Sequence, residues 1–464
     1  MKAIVRRPAA LFAILSLIVS FAIVRTIHGP SYTDAYYHYN GAARLASGQG
    51  FTEPYLWTYI GAPDRLPESG VFPSHLYWMP FTSISAAAGM AVFGIGYEAA
   101  QIPLWLMFWG TTLIGWWLGL QIGGTRRHAW MAGLLTLFSG FFTRYWGITD
   151  TFAPYALVGS ACLALMGVAV ARPRLKLGML FAAGMCAGFA HLTRADGVLL
   201  LLVSGFVVLI KRGERLPRRG LGGVLLVAGY LAVMGFWFAR NLHEVGAILP
   251  TGGTQAIWFR EYNDIFAYPP NASPAALFSD GLTTLLSSRW EAFTNNFGTF
   301  IAVEGIIVLA PLMLIALWNR RRDPFLRPFW LYAISLHLVF TLVFPFPGYR
   351  GGLFHSAAAL IPFWMALGSV GLDDAIAWMS KRRRWRGGTA RTVFAGALLI
   401  YAIGLSLVYV NDGSDNAIEP SPMEYQMLRD NLPANARHHA RTIQRHCTPI
   451  PGWAVLCIRT VRPM

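Results

Sequence analysis

The 464-residue chain is 55% hydrophobic and only 13% charged, with a formal net charge of +16 and a mean hydropathy of +0.45. A soluble domain of this length carries about 25% charged residues, so a soluble globular enzyme is excluded, and the apolar residues gather in blocks near the roughly 20 residues that cross a bilayer. The Lys and Arg excess sits in short loops between those blocks, which is the pattern of an all-α polytopic membrane protein and not of a nucleic-acid-binding face.

The N-terminal stretch carries Lys2, Arg6 and Arg7 before an apolar run from Ala9 to Val24. A cleavable signal peptide looks similar, but this run is long and lacks a clean small-x-small site, so an uncleaved first span is expected. Its basic end then stays in the cytoplasm and the following segment is exoplasmic.

That segment, residues 31–51, is the first polar ground after the span. It opens with Asp34, followed by Tyr36, Tyr37 and His38. A helix over Asp34–Leu45 places Asp34 and His38 one turn apart on one face, and the tyrosines suit a membrane–water boundary. Gly48-Gln49-Gly50 ends the helix, since glycine accepts the left-handed residue that a helix terminus needs. The plain alternative is an interfacial helix with one solvated aspartate.

Three apolar blocks follow before Asp150, at Leu76–Phe93, Ala99–Leu120 and Ala129–Phe142. If all three cross, the basic groups at Arg126-Arg127, Arg172/Arg174/Lys176, Lys211–Arg219, Arg320–Arg322 and Lys381–Arg386 all lie outside, against the positive-inside rule. If Leu76–Phe93 does not cross, every one becomes cytoplasmic. That block is short and interrupted by Pro80, Thr82, Ser83, Ser85 and Gly89, and reads as re-entrant or interfacial. About eleven spans result, near residues 9–27, 99–122, 128–144, 152–171, 177–193, 197–210, 221–240, 300–318, 328–346, 353–372 and 391–410.

The chain then divides into a transmembrane module over 1–240 with a first exoplasmic loop at 27–98, a second part over 241–410 with a long exoplasmic loop at 241–299, and a small exoplasmic tail over 411–464. The outer face collects Asp34, His38, Glu53, Asp64, Arg65, Glu68, His75, Arg144, Asp150, Arg194, Asp196, Arg240, His243, Glu244, Arg260, Glu261, Asp264, Arg350 and His355. The spans are nearly free of charge, His337 being the deepest ionisable group and Glu304 falling near an outer helix end. A transporter would show intramembrane carboxylates or bases along its path.

In the long loop, Pro269-Pro270 breaks the chain and Ser273-Pro274 reads as an N-cap with proline at the first helical position. Phe278, Leu282, Leu285, Leu286, Trp290, Phe293 and Phe297 follow at helical spacing, giving an amphipathic helix on the outer leaflet, either a structural cap or a substrate lid. Cys447 and Cys457 lie in the tail and are expected to pair on an oxidising face, whereas Cys162 and Cys186 read as packing residues within spans.

Thr33-Asp34-Ala35-Tyr36-Tyr37-His38 resembles the first-loop motif of GT-C glycosyltransferases, the polyprenyl-phosphate-sugar-dependent enzymes that include protein O-mannosyltransferases and aminoarabinose transferases. The resemblance continues through Gly48-Gln49-Gly50-Phe51, the His75 region, Asp150, His191-Leu192-Thr193-Arg194-Ala195-Asp196-Gly197, Arg240-Asn241 and Tyr349-Arg350-Gly351-Gly352-Leu353-Phe354-His355. It covers most of residues 9–372, and its specificity lies in the ordered set of short motifs. The paired Asp-Glu common in mannosyltransferase-like members is absent, because Ala35 follows Asp34. There is no clear Asp-x-Asp motif either, so a divalent metal or other cofactor is not expected.

The resemblance implies a GT-C fold, residues 1–240 as the catalytic module, and inverting transfer of a sugar from a polyprenyl-phosphate-linked donor to a glycan, lipid or protein acceptor. This would take place at the exoplasmic face of the inner membrane. Asp34 and Asp150 are the candidate catalytic carboxylates, with Asp34 as the general base if partial desolvation raises its pKa. His38, His75, Arg194, Arg240, Arg350 and His355 are the candidate substrate-binding residues. Arginine suits the leaving lipid phosphate because it stays protonated and offers a planar fork of donors. A transporter or flippase for a lipid-linked glycan, and a noncatalytic membrane subunit, remain the alternatives.

Overall fold

The computed structural model describes residues 2–54, 57, 71–265, 267 and 271–414. Asp64, Arg65, Glu68, the break at Pro269-Pro270 and the expected Cys447–Cys457 bridge lie outside the described residues. The first half contains α1 (Lys2–Val24), α2 (Thr33–Ala46), α3 (Phe81–Phe93), α4 (Tyr97–Gly123), α5 (Arg126–Leu137), α6 (Phe152–Ala171), α7 (Leu177–Thr193), α8 (Val198–Leu209) and α9 (Leu216–Val245). The second contains α10 (Thr251–Gln255), α11 (Pro274–Ser279), α12 (Gly281–Thr299), α13 (Ala310–Asn319), α14 (Arg327–Leu338), α15 (Pro345–Pro347), α16 (Leu353–Ala357), α17 (Ile361–Arg383) and α18 (Gly387–Ser414). A two-stranded antiparallel hairpin, β1 (Thr52–Glu53) with β2 (Phe72–Pro73), pairs Thr52 with Pro73 and Glu53 with Phe72.

By length and composition, 6 helical segments among the described residues are able to cross a membrane: Arg7–Val24, Phe152–Ala171, Leu216–Val245, Pro324–Val343, Pro345–Arg383 and Gly387–Asn411. The Pro345–Arg383 segment has 89% of its apolar window buried, against 28% for α1 and 22% for α18, so it forms the centre and those two helices the rim. Exposed Leu11, Ile14, Leu15 and Ile18 on α1 and Val393, Ile400, Leu407 and Val408 on α18 fit a lipid-facing surface. The block expected at Leu76–Phe93 is helical only from Phe81 to Phe93, 13 residues. At 1.5 Å per residue that is about 20 Å, short of the roughly 30 Å hydrocarbon layer.

Several expected spans are broken. Instead of continuing to residue 144, α5 ends at Leu137, and a short 3₁₀ segment runs from Gly140, whose φ of +61° favours glycine, to Tyr145. The tract from α12 to α13 passes through a π-helical turn at Phe300–Glu304. It then bends at Ile306 and Ile307, with φ of +37° and +65°. Such a bend persists only where packing over-determines it, and Ile306 is fully buried. By contrast α7 and α9 pack backbone to backbone: a Cβ on Gly184 would meet the Leu226 carbonyl oxygen at 2.0 Å, so only glycine permits that approach.

The helix termini follow their local chemistry. Ser273 caps α11 by accepting a hydrogen bond from the Ala276 N–H at 3.2 Å, with Pro274 at the start. Gly48 and Gly50, just past α2, have φ of +74° and +67°. Along α12, Leu282, Leu286, Trp290, Phe293 and Phe297 are all exposed on one stripe. Cys162 and Cys186 are free thiols.

Candidate active site

Two crossings of the chain are pinned together to make the site. On α4, Gln101 donates its side-chain amide to the carbonyls of Ile27 at 3.0 Å and Gly147 at 2.9 Å, tying the end of α1 to the loop before α6. Thr149 in that loop donates its hydroxyl to the Ala35 carbonyl at 2.9 Å. Asp34, in the first turn of α2, is thereby brought beside Asp150, just before α6. From the far end of the chain, α16 adds His355, whose ring stacks on Phe152 at 4.1 Å between centroids and whose Nδ1 bonds the Thr151 hydroxyl at 2.9 Å.

Ligating atoms of Asp34, Asp150 and His355 all lie within 4.8 Å of one another. Their environments push the two carboxylates apart. Burial raises the Asp34 pKa, the neighbouring Asp150 charge raises it further, and a hydrogen bond from the Trp78 side chain together with the Arg194 charge only partly offsets this, leaving it at about 7. Asp34 as a residue is half-buried. Asp150 is 1% exposed. Burial works against its charge as well, but the His355 and His38 rings, the Tyr32 hydroxyl and the Thr151 N–H outweigh it and hold its pKa below the usual value. The Tyr32 O–H donates to Asp150 Oδ2 at 2.5 Å. One carboxylate is thus poised to exchange a proton near neutrality while the other stays charged.

Arg194 supplies a positive charge that interacts with both carboxylates. Its Nε donates to Asp196 Oδ1 at 3.0 Å and to the Ser356 hydroxyl at 2.8 Å, and Nη2 to the Gly352 carbonyl at 3.4 Å. Ser356 in turn donates to Asp196. The frame fixes the guanidinium and leaves Nη1 outside these bonds.

His38 and His75 meet through Ser83 on α3, whose hydroxyl lies 3.2 Å from His38 Nδ1 and 2.9 Å from His75 Nε2. Burial lowers the His38 pKa to about 4, with Asp150 opposing and Arg194 adding to the shift. Burial also lowers that of His75, with the His38 and Arg240 charges adding to it. Glu53, raised to about 8 by burial against the hydrogen bonds it accepts from Tyr37 and Trp57, lies behind them, its Oε2 accepting the Tyr37 hydroxyl at 3.1 Å.

Two of the expected cations stand apart from the carboxylates. Arg240 donates to the Ser74 carbonyl at 2.9 Å, the Phe51 carbonyl at 3.3 Å and Asn241 Oδ1 at 3.1 Å, and lies 4.8 Å from the Trp237 ring centroid. It braces the β1–β2 hairpin and borders a cavity of about 400 Å³ with Phe51, Thr52, Val71, Phe72, Pro73 and Glu244. Arg350 is exposed and lies over the rings of Phe346 and Tyr349.

Tyr32, Trp78, Ser83, Thr151 and Ser356 were not among the expected site residues. Hydroxyl and indole side chains of this kind are common at membrane boundaries, and only the folded chain shows which of them face a carboxylate. Glu304, the last residue of the π-helical turn, is fully buried; it pairs with His337 at 2.9 Å and accepts the Trp364 indole N–H at 2.7 Å.

No protein-family model matches the sequence, and no curated protein matches it. Solved structures do match. ArnT from Cupriavidus metallidurans bound to undecaprenyl phosphate superposes with a TM-score of 0.56 at 16% identity, covering 95% of this chain and 85% of that one. The archaeal oligosaccharyltransferase AglB from Archaeoglobus fulgidus, in complex with an inhibitory peptide and a dolichol-phosphate, gives 0.54 at 15% identity, with 95% of this chain and 60% of that chain covered. The chain has a GT-C-like fold. A third structure, the Archaeoglobus fulgidus oligosaccharyltransferase complex with Zn and sulfate, gives 0.55 at 16% identity over 94% of this chain and 57% of that one. The GT-C-like fold therefore spans nearly the whole chain, while accounting for only about 60% of the length of the oligosaccharyltransferases.

Proposed function

We propose that the chain is an integral-membrane glycosyltransferase that moves a sugar from a polyprenyl-phosphate-linked donor to an acceptor hydroxyl at the exoplasmic face, with inversion at the anomeric carbon. The observation that carries this reading is the Asp34–Asp150 pair within 4.8 Å: a carboxyl raised to about 7 by burial and by its neighbour's charge, beside a buried one held below the usual value. Asp34 takes the acceptor proton as the hydroxyl attacks the anomeric carbon. Asp150, fixed by Tyr32 and Thr151, orients the acceptor and keeps the Asp34 pKa high. Arg194 faces the phosphate oxygen that becomes the leaving group and offsets its growing charge. Arg350, at an outer helix end, meets the donor headgroup, and Arg240 holds the wall of the site in place. The fold likeness to ArnT bound to undecaprenyl phosphate and AglB with a dolichol-phosphate supports a lipid-linked donor.

A second reading has its own observation. Two carboxylates and an imidazole within 4.8 Å are a donor set that fits a divalent cation. Asp34, Asp150 and His355 would hold the ion, which would supply positive charge to the attacking or leaving oxygen. Transfer that persists in EDTA supports the base reading. Loss of transfer in EDTA, restored by one divalent metal, decides for the cation.

The glycolipid and cell-wall profile of a strain lacking the protein tests the function itself. The strain should accumulate an unmodified acceptor, which the wild-type gene clears and Asp34→Asn does not. An unchanged profile contradicts the proposal.

A further inference from the structure

Among the buried polar groups near the carboxylates, His38 stands out. It is fully buried, and its Nε2 has no hydrogen-bond partner among the described residues. Leaving such an atom unpaired is costly, yet the surrounding structure is built to hold the ring as it is. Nδ1 is engaged by Ser83, Ser83 by His75 Nε2, and His75 Nδ1 by the Ser74 hydroxyl at 2.7 Å. The His75 N–H is held by the Tyr37 hydroxyl at 2.5 Å. His75 adopts φ of +60°, a left-handed backbone unusual for a residue with a side chain. Gly41 leaves the chain its room, because a Cβ there would lie 3.1 Å from both His75 Cε1 and Ser83 Oγ. His38 lies one helical turn after Asp34 on α2, and the Asp150 and Arg194 charges act on its ring.

We propose that His38 is a recognition residue whose Nε2 hydrogen-bonds a hydroxyl of the bound sugar or acceptor, with Ser83, His75 and Ser74 as the positioning chain that holds it. This rests on the glycosyltransferase reading and deepens it. The chain has two proton arrangements. If Ser83 donates to His75, His38 carries its proton on Nδ1 and Nε2 is an acceptor. If Ser83 donates to His38, the proton sits on Nε2, which becomes a donor. A hydroxyl both donates and accepts, so it satisfies either arrangement, whereas a phosphate or carboxylate oxygen satisfies only one. Burial keeps both rings neutral at pH 7, which also favours an uncharged partner over the lipid phosphate.

The test uses the full-length protein, carrying ¹⁵N-labelled histidine in lipid nanodiscs, with the His38 resonances assigned by their loss in His38→Gln. Three probes are added to occupancies verified by tryptophan fluorescence: undecaprenyl phosphate, polyprenyl-phosphate sugars extracted from cells that make the protein, and a methyl glycoside. The Nε2 resonance should stay in place with bare undecaprenyl phosphate. It should move with the lipid-linked sugars if the hydroxyl belongs to the donor, or with the glycoside alone if it belongs to the acceptor. In transfer assays Ser83→Ala should raise KM for that substrate about tenfold, as expected for a lost hydrogen bond, with kcat changed less than about threefold and undecaprenyl phosphate binding intact. An Nε2 resonance unmoved by every bound probe, or moved equally by bare undecaprenyl phosphate, overturns the proposal. A Ser83→Ala protein that also loses undecaprenyl phosphate binding overturns it too, marking the chain as purely structural. If the wild type binds the sugars and moves Nε2 but transfers nothing, the His38 contact stands and the transferase reading fails.

Discussion

Replacing Asp34 with asparagine should stabilise the protein at alkaline pH while removing its activity. The Asp34 carboxyl rises from its ordinary 3.8 to about 7 in the folded chain, because burial and the Asp150 charge both penalise ionisation. Between pH 4 and 7 the unfolded chain has released this proton and the folded chain retains it. This group's contribution to stability is therefore fully present below about pH 4 and is lost as pH rises to about 7. At about 1.4 kcal/mol per pH unit the loss is roughly 4 kcal/mol, an upper figure for a site with some water access. The Asp34→Asn side chain keeps the shape and the Trp78 contact without the charge. In nanodiscs, thermal unfolding at pH 5 and pH 8 should show the variant gaining stability over wild type as pH rises, by a few degrees in Tm. Equal pH dependence of the two proteins would refute the buried, raised carboxyl on which the base assignment rests.

If α3 does not cross, single cysteines at positions 126 and 174 should react only with membrane-permeant reagents; labelling of either from the outside sinks the topology. Arg194→Ala should weaken donor binding as well as turnover, and lysine should recover part of the loss, because a charge without the fork keeps attraction but not geometry. Arg350→Ala, further from the carboxylates, should raise donor KM with a smaller change in kcat; kinetics with kcat the more affected would place Arg350 at the reacting centre instead. Glu304→Ala, which strands His337 and Trp364 without their buried partner, should cost roughly 3–5 kcal/mol of stability, and a denaturation midpoint equal to wild type would show the pair to be idle.

The parts of this architecture that were legible in the sequence are those governed by neighbours in the chain. The helix from Thr33 to Ala46, its glycine exit and the Ser273 cap are each set within a few residues by propensity and capping. Asp34 was legible as the first carboxylate past the first span, and Asp150 as the acidic residue of the next outer loop. What closes the site was not legible. The Tyr32 hydroxyl reaches Asp150 across 118 positions of sequence, and periodicity carries no information about such a pairing. Arg240 looked like a phosphate ligand because it ends an apolar helix. In the fold, three oxygens already claim it. Ser83 looked like one of several residues spoiling a span, and the same polarity makes it the bridge between two buried histidines. The breaks at Gly140 and at Ile306-Ile307 escaped a hydropathy reading because all three residues fall within apolar stretches, and the positive φ they adopt, with Ile306 buried in the core, is visible only in the folded chain.

The central claim is that Asp34 is the base in transfer from a lipid phosphate. Its most direct test is the pH dependence of kcat for sugar transfer by purified protein in liposomes, supplied with extracted polyprenyl-phosphate sugars and acceptor and followed by release of free polyprenyl phosphate. The account predicts that kcat climbs about tenfold per pH unit below about 7 and levels above it. Above about pH 7, Asp34→Asn should fall about 10²–10⁴-fold below wild type, and it should lose that pH dependence while still binding donor. Near wild-type release by folded Asp34→Asn, with the same pH profile, would contradict it.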